Sequence, residues 1–444
     1  MSPVARTLLS VVVVVAVGVG GYVAFGSESA TLNAIEGYGP NPNLPPPNPT
    51  LLPTINVAEV SSWKTGETPI AAPGLAVNEF AGGLDHPRTL LVLPNGDVLV
   101  TETNAPPKPD DGKGLKGIVV GLLMAKAGAA APTANRITIL RDDNGDGVAE
   151  IKQPFIENLN SPFGMTLSNG KLYVANTDDI VSFPYRDGDL KITTAPEKIV
   201  DLPAGTINHH WTKDVIASKD GTKLYATVGS NSNVAENGMD VELNRAAILE
   251  VDLATKKSRL FASGLRNPNG LAWQPESGAL WVAVNERDEI GSDLVPDYMT
   301  SVKDGGFYGW PYSYYGNHID TRVSPQNFEL VAKAIVPDYA LGAHTASLGL
   351  TFSKNADLGS AFSHGAFVGQ HGSWNRRPRS GYKVVYVPFT DGKPAGLPVD
   401  VLTGFINEQD KAQGRPVGVA IDRKGALLVA DDVGNKVWRI TRQP

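Results

Sequence analysis

The tandem pair His209 and His210, set between Asn208 and Trp211 just ahead of an apolar run, is where the sequence is best equipped for chemistry. Neutral imidazole takes a proton near pH 7, so such a pair can supply a general base, with a hydrogen-bonded structural role as the alternative. Arg266 and Asn267 stand in the block GLRNPNGLAW, and a permanently charged, planar guanidinium suits an anionic or carbonyl-bearing ligand. VNERDE opens an acidic stretch in which Glu286, Arg287 and Asp288 are followed by Glu289, Asp293 and Asp297. Carboxylate and backbone oxygens there can hold a hard cation; the alternative is a solvated, salt-bridged loop. A second basic group, GQHGSWNRRPRSGY from Gly369, gathers His371, Trp374, Arg376, Arg377 and Arg379 and is joined by Arg415. Arginines clustered against the net charge hold carboxylates or phosphates, or form a basic surface turn. Asp142, Asn144 and Asp146 in RDDNGDGVAE match the first half of a calcium loop. Gln153 stands at the twelfth position, where a glutamate is expected, so an Asp/Gly turn between strands is the default reading.

The elements that must position these groups are hairpins. Six stretches share a Gly or Pro turn, an apolar run, a turn and a second apolar run, beginning near Gly83, Leu159, His209, Gly264, His344 and Gly414. Their marker glycines, Gly96, Gly170, Gly221, Gly278, Gly365 and Gly425, are 51 to 87 residues apart. One hairpin cannot bury its apolar face alone, and such a period is the signature of propeller blades, which predicts an all-β, six-bladed β-propeller. Function then gathers where the innermost strands and their loops converge on the axis. The longest gap, residues 285–343, is expected to build much of the pocket. LKGIVVGLLMAKAG in the insertion 106–133 reads as a helix with an apolar face from Leu115 to Met124, packed on a blade edge or serving as a lid.

Composition narrows the function. The chain of 444 residues is 42% hydrophobic and carries a formal charge of −7, so it has a large core and no basic footprint for nucleic acid. Cysteine is absent, which removes disulfides, thiolate metal sites and cysteine nucleophiles. GxxxxGK, HExxH and GxSxG are absent too, and no GxGxxG follows a strand. Arg6 precedes an uncharged stretch with five consecutive valines, so residues 1–27 are expected to be a signal peptide or membrane anchor, and Leu8 to Phe25 is long enough to span a bilayer. Residues 28–55 are expected to be a Pro-rich linker, extended over 37–53, and 56–444 the propeller catalytic domain. That domain would lie outside the cytoplasm, in the periplasm, at the cell surface or secreted, with anchoring through residues 8–25 an option.

Read in order, HHWT, GLRNPNGLAW, NERDE, GGFYGWP, HGSWNR and GRPVGVA resemble the sorbosone dehydrogenase and soluble aldose dehydrogenase family over nearly all of residues 75–442. Those proteins are six-bladed propellers that use pyrroloquinoline quinone (PQQ) with calcium. The resemblance implies oxidation of a sugar hemiacetal or aldehyde by hydride transfer to the quinone, with an electron acceptor the sequence does not name. It implies His210 as general base, and Arg266 with Asn267 against the quinone oxygens. It implies a calcium loop with Glu286, Arg287 and Asp288 in the ligand positions. His209, Trp211, Trp374 and Arg415 would flank the cofactor. A second family arginine appears here as Val417, and Arg376 and Arg377 stand where a fifth-blade lysine is expected. Two other classes fit the same architecture: a calcium-dependent propeller hydrolase of gluconolactonase type, and a propeller binding module without chemistry.

Overall fold

The computed structural model describes residues 28–50, 54–106 and 132–443. Six sheets, each with a four-stranded antiparallel core, carry the chain in order around an axis, and short extra strands extend three of them. From the innermost strand outward, the first blade is Pro87–Val92, Val98–Glu102, Arg136–Arg141 and Ile151–Ile156. The second is Met165–Ser168, Lys171–Ala175, Asp179–Pro184 and Glu197–Asp201. The third is Val215–Ala217, Lys223–Val228, Ala247–Asp252 and Lys257–Ser263, and the fourth is Asn267–Trp273, Leu280–Asn285, Pro296–Ser301 and Tyr339–Ala343. The fifth is Ser347–Phe352, Gly365–Gln370, Lys383–Thr390 and Val399–Thr403. The sixth closes the ring: Pro416–Ile421, Leu427–Asp431 and Lys436–Arg442 are completed by the early strand Leu75–Gly82. Each hairpin read from the sequence is the inner pair of one blade.

Strand periodicity explains how the blades stack. Successive side chains point to opposite faces, so a strand buried on both sides feeds two cores. In the first blade Val98 and Val100 pack toward the sixth while Leu99 packs toward the second. In the fourth, Val282 and Val284 face the third and Trp281 and Ala283 face the fifth. Each neighbouring pair of blades encloses one such cluster, and the last joins the sixth blade to the first.

Close approach at the axis dictates glycine. Four of the inner strands carry a bulge where they leave the top face, between Pro87 and Leu90, Pro268 and Leu271, Ser347 and Leu350, and Pro416 and Val419. A Cβ on Gly418 would lie 2.4 Å from Arg88 O, and one on Gly349 2.4 Å from Val417 O. Backbones of neighbouring blades touch there.

Residues 28–50, expected to be a spacer, instead lie along the propeller. Tyr38–Gly39 adds to the outer strand of the fourth blade, Asn48 N donates to Ile290 O at 2.9 Å, and Ala30 N donates to Arg377 O at 2.7 Å. The Pro-rich composition sets an extended backbone, and docking rather than solvent satisfies its polar groups. Residues 302–338 form a hairpin and a short helix, Phe328–Val331, on the rim of the third and fourth blades. The expected helix from Leu115 to Met124 and the N-terminal segment 1–27 lie outside the described residues. Among the described residues no helix is long and apolar enough to cross a membrane.

Candidate active site

The loops that lead into the innermost strands, and those joining second to third strands, meet at one end of the axis. There they enclose a cavity of about 190 Å³ walled by Arg88, His209, His210, Trp211, Asn267, Asn269, Asn285 and His371, among others. Beneath it Phe163, Trp211, Leu348 and Val417 form an apolar plug. Below the plug runs a second axial space of about 540 Å³, lined by inner-strand residues.

His210 is held as a base. Its Nδ1 lies 2.7 Å from Ser230 O, and a carbonyl only accepts, so Nδ1 carries the proton and Nε2 is the basic nitrogen. Burial, and secondly the nearby Arg266 guanidinium, push its pKa well below the usual imidazole range, so it stays neutral at physiological pH. The segment is fixed from below by Lys213, fully buried, whose Nζ donates to His210 O at 3.2 Å and Trp211 O at 3.3 Å. Gly229 permits the crowding: a Cβ on it would lie 2.4 Å from His210 Cβ and 2.5 Å from Asn267 Oδ1.

Arg266 stands behind this wall. Its guanidinium donates to Glu286 O at 2.6 Å, Asn233 Oδ1 at 3.0 Å and Asp288 Oδ2 at 3.0 Å. The other oxygen of Asp288 accepts from Asn375 Nδ2 at 2.8 Å and faces His344 Nδ1 at 3.3 Å. Although burial opposes it, Arg266 and His344 hold the Asp288 carboxyl well below the carboxylate range.

The expected cation loop is therefore built differently. Arg287 is buried and donates to Glu286 Oε2, Asp320 Oδ2, Pro311 O and Ser313 O. Asp288 O accepts from Arg322 and Asn233. Guanidinium and amide groups engage Glu286 O, Glu286 Oε2, Asp288 O and both carboxylate oxygens of Asp288, while Glu286 Oε1 is buried without a partner. A guanidinium offers no ligand atom, so the Arg287 side chain is corrected as a ligand, and Asp288 is committed to Arg266, Asn375 and His344 instead. The reason is local: three arginines compete for the same oxygens.

Trp374, Arg376 and Arg377 are corrected as well, since their contacts are with neighbouring loops and the N-terminal segment. Arg376 Nε donates to Ser292 O at 2.9 Å and its NH1 to Pro378 O at 2.7 Å, which clasps the 286–293 loop to the 371–379 loop. The backbone carbonyls of Trp374 and Arg377 accept from Asn56 and Ala30. That loop folds outward under the N-terminal segment.

Arg415 does remain close, and sequence reasoning missed its companion. Arg415 rests 5.2 Å from the Tyr382 ring centroid, donates to Tyr382 Oη at 3.4 Å, and its buried Nε has no partner. Arg88 lies over the rings of Phe163 and Trp211, donates to Asp432 Oδ2 at 2.6 Å, and also leaves a buried Nε unpaired. His371 and His86 reach the same Asp432 oxygen. Arg88 and Val417 both follow a proline that opens an inner strand, so the missing family arginine reappears at the same repeat position one blade on. Aligning GLDHPRTLL with GRPVGVA was the available signal.

The Asp142 turn lies at the opposite end of the first blade. Asp142, Asp146 and Glu150 bring carboxylate oxygens within 4.8 Å of one another. Lys424 Nζ donates to Asp142 Oδ2 at 3.0 Å and to Gly145 O at 2.9 Å, and the turn's own amides bind Asp146 and Glu150, so an ammonium group stands where a cation would.

The fold and site define a class: six-bladed propellers with an imidazole-lined axial cavity and buried guanidinium groups beside it. A family model described as TrAA12-like matches residues 122–303 and 325–443, and the chain belongs to that family. It is 20% identical to a PQQ-dependent sugar dehydrogenase of Hypocrea jecorina, over 84% of this chain and 89% of that protein. It is 23% identical to a PQQ-dependent pyranose dehydrogenase of Coprinopsis cinerea, over 84% of this chain and 54% of that protein, so it spans about half of the latter. Among solved structures, the calcium structure of a Trichoderma reesei family AA12 protein superposes with a TM-score of 0.68 at 19% identity, over 87% of this chain and 99% of that one.

Proposed function

We propose that this protein is a PQQ-dependent dehydrogenase that oxidises a sugar at its hemiacetal carbon. The observation that carries the reading is the pair of buried arginines, each with an unpaired Nε: Arg88 on the cavity wall with neutral His210, and Arg415 near His371 of the same wall. A buried guanidinium lacking part of its hydrogen bonding calls for an anion, and PQQ brings carboxylates. Arg88, Arg415 and Asn267, whose Oδ1 is also buried without a partner, would hold the cofactor. When bound, it supplies a hydride-accepting carbonyl carbon.

The chain's own residues do the rest. His210 Nε2 takes the proton of the sugar hydroxyl as the carbon–hydrogen bond breaks, and Ser230 O keeps the ring oriented through Nδ1. Arg266 stands behind Asn267 as a fixed positive charge where negative charge develops. The plug of Phe163, Trp211, Leu348 and Val417 closes the floor and limits water from below. Among the described residues the cavity wall carries no carboxylate, which disfavours a metal-dependent hydrolase. Residues 1–27 are proposed to direct export.

The test is reconstitution of the purified protein with PQQ and calcium, followed by aldose-dependent reduction of a one-electron dye. Saturable quinone binding and sugar-dependent turnover are expected. Binding without turnover on any aldose, or no binding, overturns the reading.

A further inference from the structure

Asp432 joins two separate spaces. On one side its Oδ2 accepts from His371 Nε2 at 2.8 Å, and His371 lines the axial cavity. On the other side His86 Nε2 lies 3.3 Å from the same oxygen. His86 and Asp432 line a second cleft of about 380 Å³ between the sixth and first blades, together with Ser62, Asp85 and Asn435. Asp85 on that rim has a side chain 64% exposed, so the cleft reaches solvent. Asp432 itself is fully buried.

We propose that His371, Asp432 and His86 form a proton exit from the axial cavity to this side cleft. The inference rests on the dehydrogenase reading. Oxidising a carbon–hydroxyl pair to a carbonyl removes two electrons and two protons from the sugar. The electrons leave on two one-electron acceptors, and both protons must reach water from a cavity whose floor is apolar. The same Oδ2 accepts from Arg88 at 2.6 Å, and although burial opposes it, His371, His86 and Arg88 hold the Asp432 carboxyl well below the carboxylate range, so it stays ionised. A proton arriving at His371 Nδ1 therefore drives the one on Nε2 across Oδ2 to His86 Nε2 in one concerted transfer, as His86 releases its Nδ1 proton to the cleft. Proton number is conserved at each ring, and no electrons move along the path.

The surroundings suit transit rather than storage. The charged groups facing the chain are Asp432, Arg88 and Arg415. Burial and the two guanidinium groups pull His86 down to about 4 and lower His371, so neither ring retains a proton at neutral pH. His86 adopts a positive φ of 57°, a conformation costly for a non-glycine residue, and Asn435 Oδ1 accepts from its backbone N–H at 3.0 Å. The backbone is held where the ring bridges Asp432 and the cleft.

The test separates sugar oxidation from proton release in the PQQ-loaded enzyme. Anaerobic rapid mixing with aldose reads the first; steady-state turnover with a ferricenium acceptor, with an indicator dye in weak buffer, reads the second. For His86→Gln the first phase is expected to stay within about twofold of wild type. Steady-state turnover and proton appearance should fall about tenfold or more, in the range of lost proton-transfer steps, and added imidazole should restore them. Ser62→Trp, which fills the cleft and leaves both imidazoles in place, should show the same pattern. Unchanged steady-state turnover, or equal loss in both phases without imidazole rescue, overturns the exit path. Failure of the wild-type first phase overturns the dehydrogenase reading itself.

Discussion

At the scale of single residues, the protonation of His210 is decided by what surrounds it. Burial and the nearby Arg266 guanidinium favour the neutral ring and outweigh the carbonyl partner at Nδ1, which fixes the tautomer but favours protonation, so the base is ready without a titration near neutrality. Turnover of the wild type is therefore expected to stay level as pH falls through 6.5, which a pH profile of kcat checks. His210→Ala should lower kcat by about 10² to 10⁴ and leave quinone affinity within about tenfold, as measured by fluorescence titration. The motif HHW pointed to this residue because a tandem imidazole pair beside an indole is rare. Arg88 was harder to read, because a lone arginine in an apolar hairpin resembles any strand-entry residue until the repeats are superposed. Glu286 and Arg287 misled for the opposite reason. An acidic loop looks ready for a cation, yet Arg266, Arg287 and Arg322 take Glu286 O, Glu286 Oε2 and Asp288 O.

Elements control the site through how closely they can approach. The inner strands of the fifth, sixth and first blades run backbone against backbone at Gly349 and Gly418. Gly418→Ala would push a Cβ into Arg88 O, and overpacking of this kind costs about 1–3 kcal/mol. Because the strain falls on Arg88, quinone affinity should weaken together with stability, which urea denaturation and quinone titration on one preparation can compare. The two loops that meet across the cavity rim, 286–293 and 371–379, are tied by Arg376 to Ser292 O and by Asn375 to Asp288. Residues that looked like cofactor ligands thus set the spacing of the elements that hold it.

At the scale of the whole molecule, the N-terminal segment works as a strap across the fourth, fifth and sixth blades. Thr31 N–H donates to Asp293 Oδ2 at 2.6 Å, Ser292 N–H donates to Glu28 Oε2 at 2.8 Å, and Trp63 Nε1 donates to Asp431 Oδ2 at 2.7 Å. The Tyr38 ring lies against Gly342, where a Cβ would come within 2.6 Å of it. Tyr38→Ala is expected to cost about 1–3 kcal/mol, read as a lower urea midpoint, and to raise the quinone dissociation constant by loosening the 286–293 loop. A lowered midpoint with unchanged quinone affinity would confine the strap to a stabilising role.

The amino-acid order by itself determined the six hairpins, the all-β architecture and the base candidate. Strand periodicity, turn glycines and rare side-chain pairs are local properties of the chain. Which polar groups spend their hydrogen bonds on each other was decided only in three dimensions, because Arg266 and Arg322 reach the 286–288 loop from sequence distances that no local pattern encodes. The same holds for Arg88, Asp432 and His371, drawn from three blades into one buried group by the closing of the ring.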